Sequence, residues 1–171
     1  MNDAQFSGLI RRNAGLIHKV AYAYCRDAAD REDVVQEIAT QLWRSKDRYD
    51  DRYRETTWIY RIALNVAISF HRRERRHREG RVPIDSPAIA IATAGEPGED
   101  VRAMLRLIDE LGPLERALVM LHLDGNDHGS IADVVGISVS NVGTKLGRIK
   151  DKLRVAMERR AYRTEESNEP R

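Results

Sequence analysis

Apolar residues along this chain recur at intervals of three and four, a helical period, almost throughout. Leu9, Ile10, Leu16, Ile17 and Val20 predict one helix that starts near Phe6 and runs past Tyr24. Val34, Val35, Ile38, Ala39, Leu42 and Trp43 predict a second, capped by Asp30 with Asp33 three residues on, close to a capping-box spacing. The stretch 45–55 is polar and turn-rich. A third helix then starts at Thr56 or Thr57 and carries Trp58, Ile59, Ile62, Ala63, Val66, Ala67 and Phe70 along one broad stripe. Its continuation, HRRERRHREGR at 71–81, has no apolar residue, so it leaves the core as an exposed basic rod that ends at Gly80.

AIAIATA at 88–94 alternates like a strand, but Pro83, Pro87, Gly95, Pro97 and Gly98 surround it and make the neighbourhood a linker. Val101, Met104, Leu105 and Ile108 restore the helical period between Glu99 and Leu111. Gly112-Pro113 ends that helix and opens another, because proline is tolerated in a first helical turn. Leu114, Ala117, Leu118 and Leu121 give the new helix its stripe, and DGNDHG at 124–129 is a loop. A short helix from Ser130 to Val135 follows, then Gly136, where positive φ costs little, then Ser138 as the cap of a longer helix. In that helix Val139, Val142, Leu146, Ile149 and Leu153 are spaced 3, 4, 3, 4 and predict one inward seam. The expected fold class is all-α, two small helical domains joined by a flexible linker, the second containing a helix-turn-helix. The domains span 1–79 and 99–160, with the linker at 80–98 and a polar tail at 161–171.

Composition narrows the chemistry. Charged residues make up 33% of the 171, yet the net charge is only +2, so the distribution of charge matters more than its sum. The single cysteine, Cys25, excludes a disulfide framework and suits a reducing cytoplasm, where it reads as a small buried apolar residue. No stretch approaches the roughly 18 apolar residues of a membrane span, so a soluble cytoplasmic protein is expected. GxxxxGK[ST], GxSxG and HExxH are absent, and the five histidines show no ligand spacing with cysteine. His122, Asp124, Asp127 and His128 fall together, but they read as a polar loop. Neither catalytic residue, metal nor cofactor is expected.

Two stretches suit nucleic acid. Opposite its apolar seam, the helix after Ser138 carries Ser140, Asn141, Thr144, Lys145, Arg148 and Lys152. Short polar groups near the start suit base edges, and the cations beyond them suit phosphates. Such a face also fits a merely solvated amphipathic helix, but the spacing of Ala132, Gly136 and Val142 favours a helix-turn-helix. Gly143 and Gly147 either permit close approach to a DNA backbone or weaken the helix. In the first half, Arg72, Arg73, Arg75, Arg76 and Arg78 outnumber Glu74 and Glu79, and Trp58, Tyr60 and Asn65 lie just upstream with Tyr49 and Tyr53 before them. Aromatics beside cations suit unpaired bases, although Trp58 taken alone reads as core. DREDVVQEI at 30–38 has the opposite sign: Asp30, Glu32, Asp33 and Glu37 surround an exposed apolar pair, Val34 and Val35, an arrangement suited to a protein partner.

Taken together these stretches resemble the ECF sigma factors, compact initiation subunits of bacterial RNA polymerase, over about residues 5–160. DREDVVQEIATQLWRSKDRYD looks like the family's helix that docks on core polymerase, which implies Asp33, Gln36 and Glu37 as docking residues. TTWIYRIALNVAISFHRRERR looks like the segment that opens the −10 element and captures a flipped base. The resemblance implies Trp58, Tyr60, Asn65, Arg72, Arg73 and Arg76 as −10 contacts, with the loop before Trp58 lining the base pocket. LGPLERALVMLHLDGNDHGSIADVVGISVSNVGTKLGRIKDKLR looks like the −35 reader, with Ser140, Asn141, Thr144, Lys145 and Arg148 as contacts. Where relatives often show Gly-Thr-Val-Lys-Ser-Arg, this chain has Ser140-Asn141-Val142-Gly143-Thr144-Lys145. The expected partners are core RNA polymerase, promoter DNA and an anti-sigma factor. The rival expectation is a stand-alone helix-turn-helix regulator, which would have no use for the docking helix or the −10 segment.

Overall fold

The computed structural model describes residues 1–25, 27–78, 107–108 and 110–166. Among the described residues all regular structure is helical. The longer helices are α1 (Asp3–Arg12), α2 (Ala14–Tyr24), α3 (Ala28–Ser45), α4 (Glu55–Arg78), α5 (Pro113–Leu123), α6 (His128–Val135) and α7 (Val139–Glu166), with a single 3-10 turn at Lys46–Arg48. The expected linker at 80–98 and most of the helix expected at 99–111 lie outside the described residues. The chain divides into two compact units, α1–α4 forming the body of the first and α5 with α7 that of the second.

In the first unit the helix expected from Phe6 past Tyr24 is two helices. Asn13 interrupts it: its side-chain Nδ2 donates to the Leu9 carbonyl at 2.9 Å, and its backbone sits at φ −108°, ψ 12°. A short amide side chain that competes for a backbone carbonyl is a physical cause of such a break. The second correction is a cap. Asp27, not Asp30, starts α3: its carboxylate accepts the Ala29 N–H at 2.8 Å, which places Asp30 inside the first turn. There Asp30 still opposes the positive end of the helix dipole. α4 starts at Glu55, one residue before the expected threonines.

α2, α3 and α4 pack on one another, and α1 rests against α2. The core they share holds Leu9, Ile17, Val20, Val34, Ile38, Leu42 and Ile59, none more than 2% exposed. Ala63 and Ala67 are fully buried one turn apart on α4, and small side chains there let helix backbones approach closely. Cys25 lies buried at the end of α2, as its apolar reading expects.

The second unit opens as expected on Gly112-Pro113, with the Glu115 carboxylate reaching back to the Gly112 N–H at 3.1 Å. Ala117, Leu118 and Leu121 are buried, but Leu114 is 36% exposed: it stands in the first turn, off the buried stripe. α6 starts at His128 rather than Ser130, because the Asp127 carboxylate accepts the Ser130 N–H at 2.8 Å and caps the helix two residues earlier. Gly136 has φ 75°, the left-handed turn expected of it. Ser138 caps α7, its Oγ accepting the Asn141 N–H at 3.2 Å. Val142, Leu146 and Ile149 are buried and Leu153 is half-buried, but Val139 is 53% exposed. At 3.6 residues per turn Val139 points about 60° away from Val142, at the edge of the seam. α7 runs to Glu166, so the expected polar tail begins inside the helix. Its sequence there, rich in Ala, Glu and Arg, favours continuation.

Gly136→Ala is expected to destabilise the protein by about 1–2 kcal/mol, since a Cβ is strained at that φ. Urea unfolding should show a lower midpoint with an unchanged slope.

Candidate polymerase and nucleic-acid interfaces

Burial of Val34, Ile38 and Leu42 turns the opposite face of α3 to solvent, and Asp33, Gln36 and Glu37 stand exposed on it. The apolar pair expected to be exposed is not: Val34 is 1% exposed and Val35 half-buried, because Val34 falls on the same stripe as Ile38. The surface is therefore a polar and acidic one. The Glu37 carboxylate accepts a hydrogen bond from Gln41 Nε2 at 2.6 Å, which fixes one of its oxygens.

An open groove of about 830 Å³ runs between α3 and α4. Asp33, Gln36 and Glu37 line one wall, and Asn65, Phe70 and Arg73 line the other. The Arg73 guanidinium lies 5.4 Å from the Phe70 ring centre. Three residues expected to meet a protein and two expected to meet DNA thus share one groove, though the sequence separates them by at least 28 positions. Asn65 and Arg73 are exposed there, and Arg72 is exposed on α4 outside the groove lining. Arg76 also lies on α4, in its last turn.

Trp58 and Tyr60 separate. Trp58 is half-buried, and its ring centre lies 5.0 Å from that of Tyr49, so it anchors the loop before α4. Tyr60 is 4% exposed and belongs to the core, because it follows Ile59 on the buried side of α4. The loop is further fixed by Tyr49 Oη, which donates to the Tyr53 carbonyl at 3.0 Å. Burial, with help from Glu55, Asp51 and Asp50, raises the Tyr49 pKa and keeps the phenol a donor. Arg52 hydrogen-bonds Asp50 through side chain and backbone and holds its carboxyl below the ordinary value. Tyr53 is left 44% exposed, with the Arg61 guanidinium 5.7 Å from its ring centre. The sequence reading missed Arg61; its place four residues before Asn65, on one helix face, was the available signal.

In the second unit Ser140, Asn141, Thr144 and Arg148 are exposed on α7 and Lys145 is half-exposed. The Thr144 hydroxyl donates to the Ser140 carbonyl at 3.0 Å, leaving its oxygen lone pairs outward. Lys152, further along, pairs with Glu115 at 3.2 Å and so ties α7 to α5. Among the described residues no cluster of His, Cys, Asp and Glu is built to hold a metal ion, and no helix is long and apolar enough to cross a membrane.

Comparison with known proteins fits this division. The profile of Sigma-70 region 2 matches residues 9–77, and that of Sigma-70 region 4 matches residues 102–153. The ECF RNA polymerase sigma factor SigE of Mycolicibacterium smegmatis is 28% identical, covering 93% of this chain and 64% of that protein. The RNA polymerase sigma factor CnrH of Cupriavidus metallidurans is 27% identical over 89% of this chain and 86% of its own length. In fold, the chain is similar to the sigma factor RpoE of Bartonella quintana, solved with the anti-sigma factor NepR: TM-score 0.73, 18% identity, 90% of this chain and 97% of that one. CnrH solved with the cytosolic domain of CnrY gives a TM-score of 0.66 at 23% identity, over 92% of this chain and 90% of that one. Two sigma-70 regions in this order define the class, and the chain belongs to the ECF sigma factors.

Tyr60→Ala is expected to cost about 3–5 kcal/mol of folding stability. Asn65→Ala and Arg73→Ala should each stay within about 0.5 kcal/mol of the parent. Urea unfolding of the three variants checks the separation of core from surface on α4.

Proposed function

We propose that this chain is an initiation subunit of RNA polymerase, with residues 1–79 as the docking and −10 domain and 99–160 as the −35 domain. Asp33, Gln36 and Glu37 on α3 dock on a basic surface of core polymerase. Trp58, Asn65, Arg72, Arg73 and Arg76 serve the −10 element, with Tyr53 and Arg61 added as an exposed aromatic–cation pair. Ser140, Asn141, Thr144, Lys145 and Arg148 serve the −35 element. Tyr60 is withdrawn as a contact, because a ring 4% exposed cannot stack on a base.

The observation that carries the proposal is the α3–α4 groove. A stand-alone helix-turn-helix regulator has no need of an acidic helix face beside an exposed asparagine and arginine, and this chain holds both in one groove. The roles follow from the chemistry of the side chains. An unpaired base offers a π-face and hydrogen-bonding edges, which Tyr53 and Asn65 suit. Arginines beyond Phe70 meet phosphates, with affinity that falls as salt rises. On α7, Asn141 suits an adenine edge and Arg148 a phosphate or guanine, while Lys145 holds phosphate as a point charge rather than a fork. Nothing in these roles breaks or makes a covalent bond, so strand opening draws on binding energy alone. The similar RpoE was solved with an anti-sigma factor and CnrH with the cytosolic domain of CnrY. A protein inhibitor of this kind is proposed as a further partner, along with core polymerase and promoter DNA.

Run-off transcription with purified core polymerase and a pool of promoters tests the reading. The wild type is expected to give specific transcripts, and Asp33→Arg with Glu37→Arg to reduce them about tenfold or more, since like-charge contact costs several kcal/mol. Tight duplex binding by the chain alone, with no core binding, would refute it. Arg148→Ala is expected to weaken −35 binding and to reduce the salt slope by about one, read by fluorescence anisotropy from low to moderate salt.

A further inference from the structure

Gly143 leaves a bare spot on α7, and a side chain from α6 borders it. A Cβ built at Gly143 meets the His128 imidazole at 3.6 Å through both Cε1 and Nδ1. The first residue of α6 therefore lays its ring along the flank of α7, one position from Thr144 and one turn from Ser140. His128 is exposed. Its ring centre is 6.4 Å from that of half-buried His122 on α5. The adjacent carboxylate, Asp127, is turned to the Ser130 N–H at 2.8 Å.

Helix geometry says what this flank faces. Counting about 100° per residue, Gly143 lies between the buried seam at Val142 and the outermost face at Thr144. A helix about 10–12 Å across fills a major groove about 12 Å wide. Its outermost face then meets base edges, and its flanks meet the phosphate rails on either side. We infer that His128 is a DNA-binding residue, donating an imidazole N–H to a backbone phosphate at the edge of the groove that α7 enters. An imidazole carries at least one N–H in either protonation state. The contact fixes how α7 seats on the duplex and carries no base preference of its own. This inference rests on the proposed −35 role of α7.

The test uses the full chain, alone and bound to core polymerase, on a promoter duplex chosen for transcription in the run-off assay. His128→Ala is expected to weaken duplex binding about three- to tenfold, equally on duplexes with substituted −35 bases. His128→Phe keeps a ring over Gly143 without an N–H, and should lose as much as His128→Ala. His128→Lys should retain wild-type affinity or exceed it. In a scan of neutral methylphosphonates along both strands, one position should abolish the difference between wild type and His128→Ala. Wild-type affinity in His128→Phe would overturn the proposal and make the ring a packing element. So would a loss confined to one base pair, or the lack of any such phosphate. Failure of core polymerase binding with the His128 effect intact on the chain alone would sink the initiation reading and leave this contact standing.

Discussion

The first unit depends on the burial of one stripe of α4. Ile59, Ala63 and Ala67 are fully buried, and their four-residue spacing fixes the rotation of the whole helix against α2 and α3. Once those positions face inward, Arg61, Asn65, Arg72 and Arg73 have no choice but to face out. The small alanines matter as much as the isoleucine. A larger side chain at Ala63 or Ala67 would push α4 away and open the groove in which Asn65 and Arg73 sit opposite Asp33 and Glu37. The proposed functional surface is thus the reverse side of the core. Its residues are positioned by packing they do not themselves take part in, as a rigid binding surface requires.

The second unit uses the same logic with fewer parts. Val142, Leu146 and Ile149 fix the rotation of α7, Gly136 supplies the turn before it, and Lys152 ties it to Glu115 on α5. Both helices of the hairpin are capped at their N-termini by side chains, Asp127 before α6 and Ser138 before α7. Caps of this type contribute about 1 kcal/mol each. In so small a unit that contribution bears directly on how firmly the polar face is presented.

Much of this was legible as period. Every helix of the described residues had its apolar stripe in the sequence, and Pro113, Gly136 and Ser138 announced their turns through their own chemistry. What period does not contain is competition between neighbours. Asn13 breaks a helix that its flanking apolar residues would continue, because its side chain takes a backbone carbonyl. Asp27, Asp30 and Asp33 are all plausible caps by type, and only the path of the chain into α3 selects Asp27. Stripes also have edges: Val139, Leu114 and Val34 each follow the expected spacing, yet the first two are exposed and the third is buried where half of an exposed apolar pair was expected. Tyr60 reads as an aromatic beside cations, which is a composition, while its burial depends on which side of α4 it falls.

The candidate surface residues are read by type rather than by contact, and this explains which juxtapositions the sequence does not contain. Ser140, Asn141, Thr144 and Arg148 are local to one helix, so spacing alone places them on one face. The groove joins α3 to α4 across the packed core, and His128 joins α6 to α7 across a turn; neither pairing has a sequence interval that encodes it. Glycine makes the second case instructive. At Gly143 the sequence shows only a missing side chain, which costs helix stability of about 1 kcal/mol. The fold sets the His128 ring beside it, so the proposed phosphate contact adds a side chain from the preceding helix to the polar face of α7. A recognition surface assembled from two helices is oriented by the turn between them as well as by the seam beneath. The left-handed turn at Gly136 therefore bears on the proposed binding and not on folding alone.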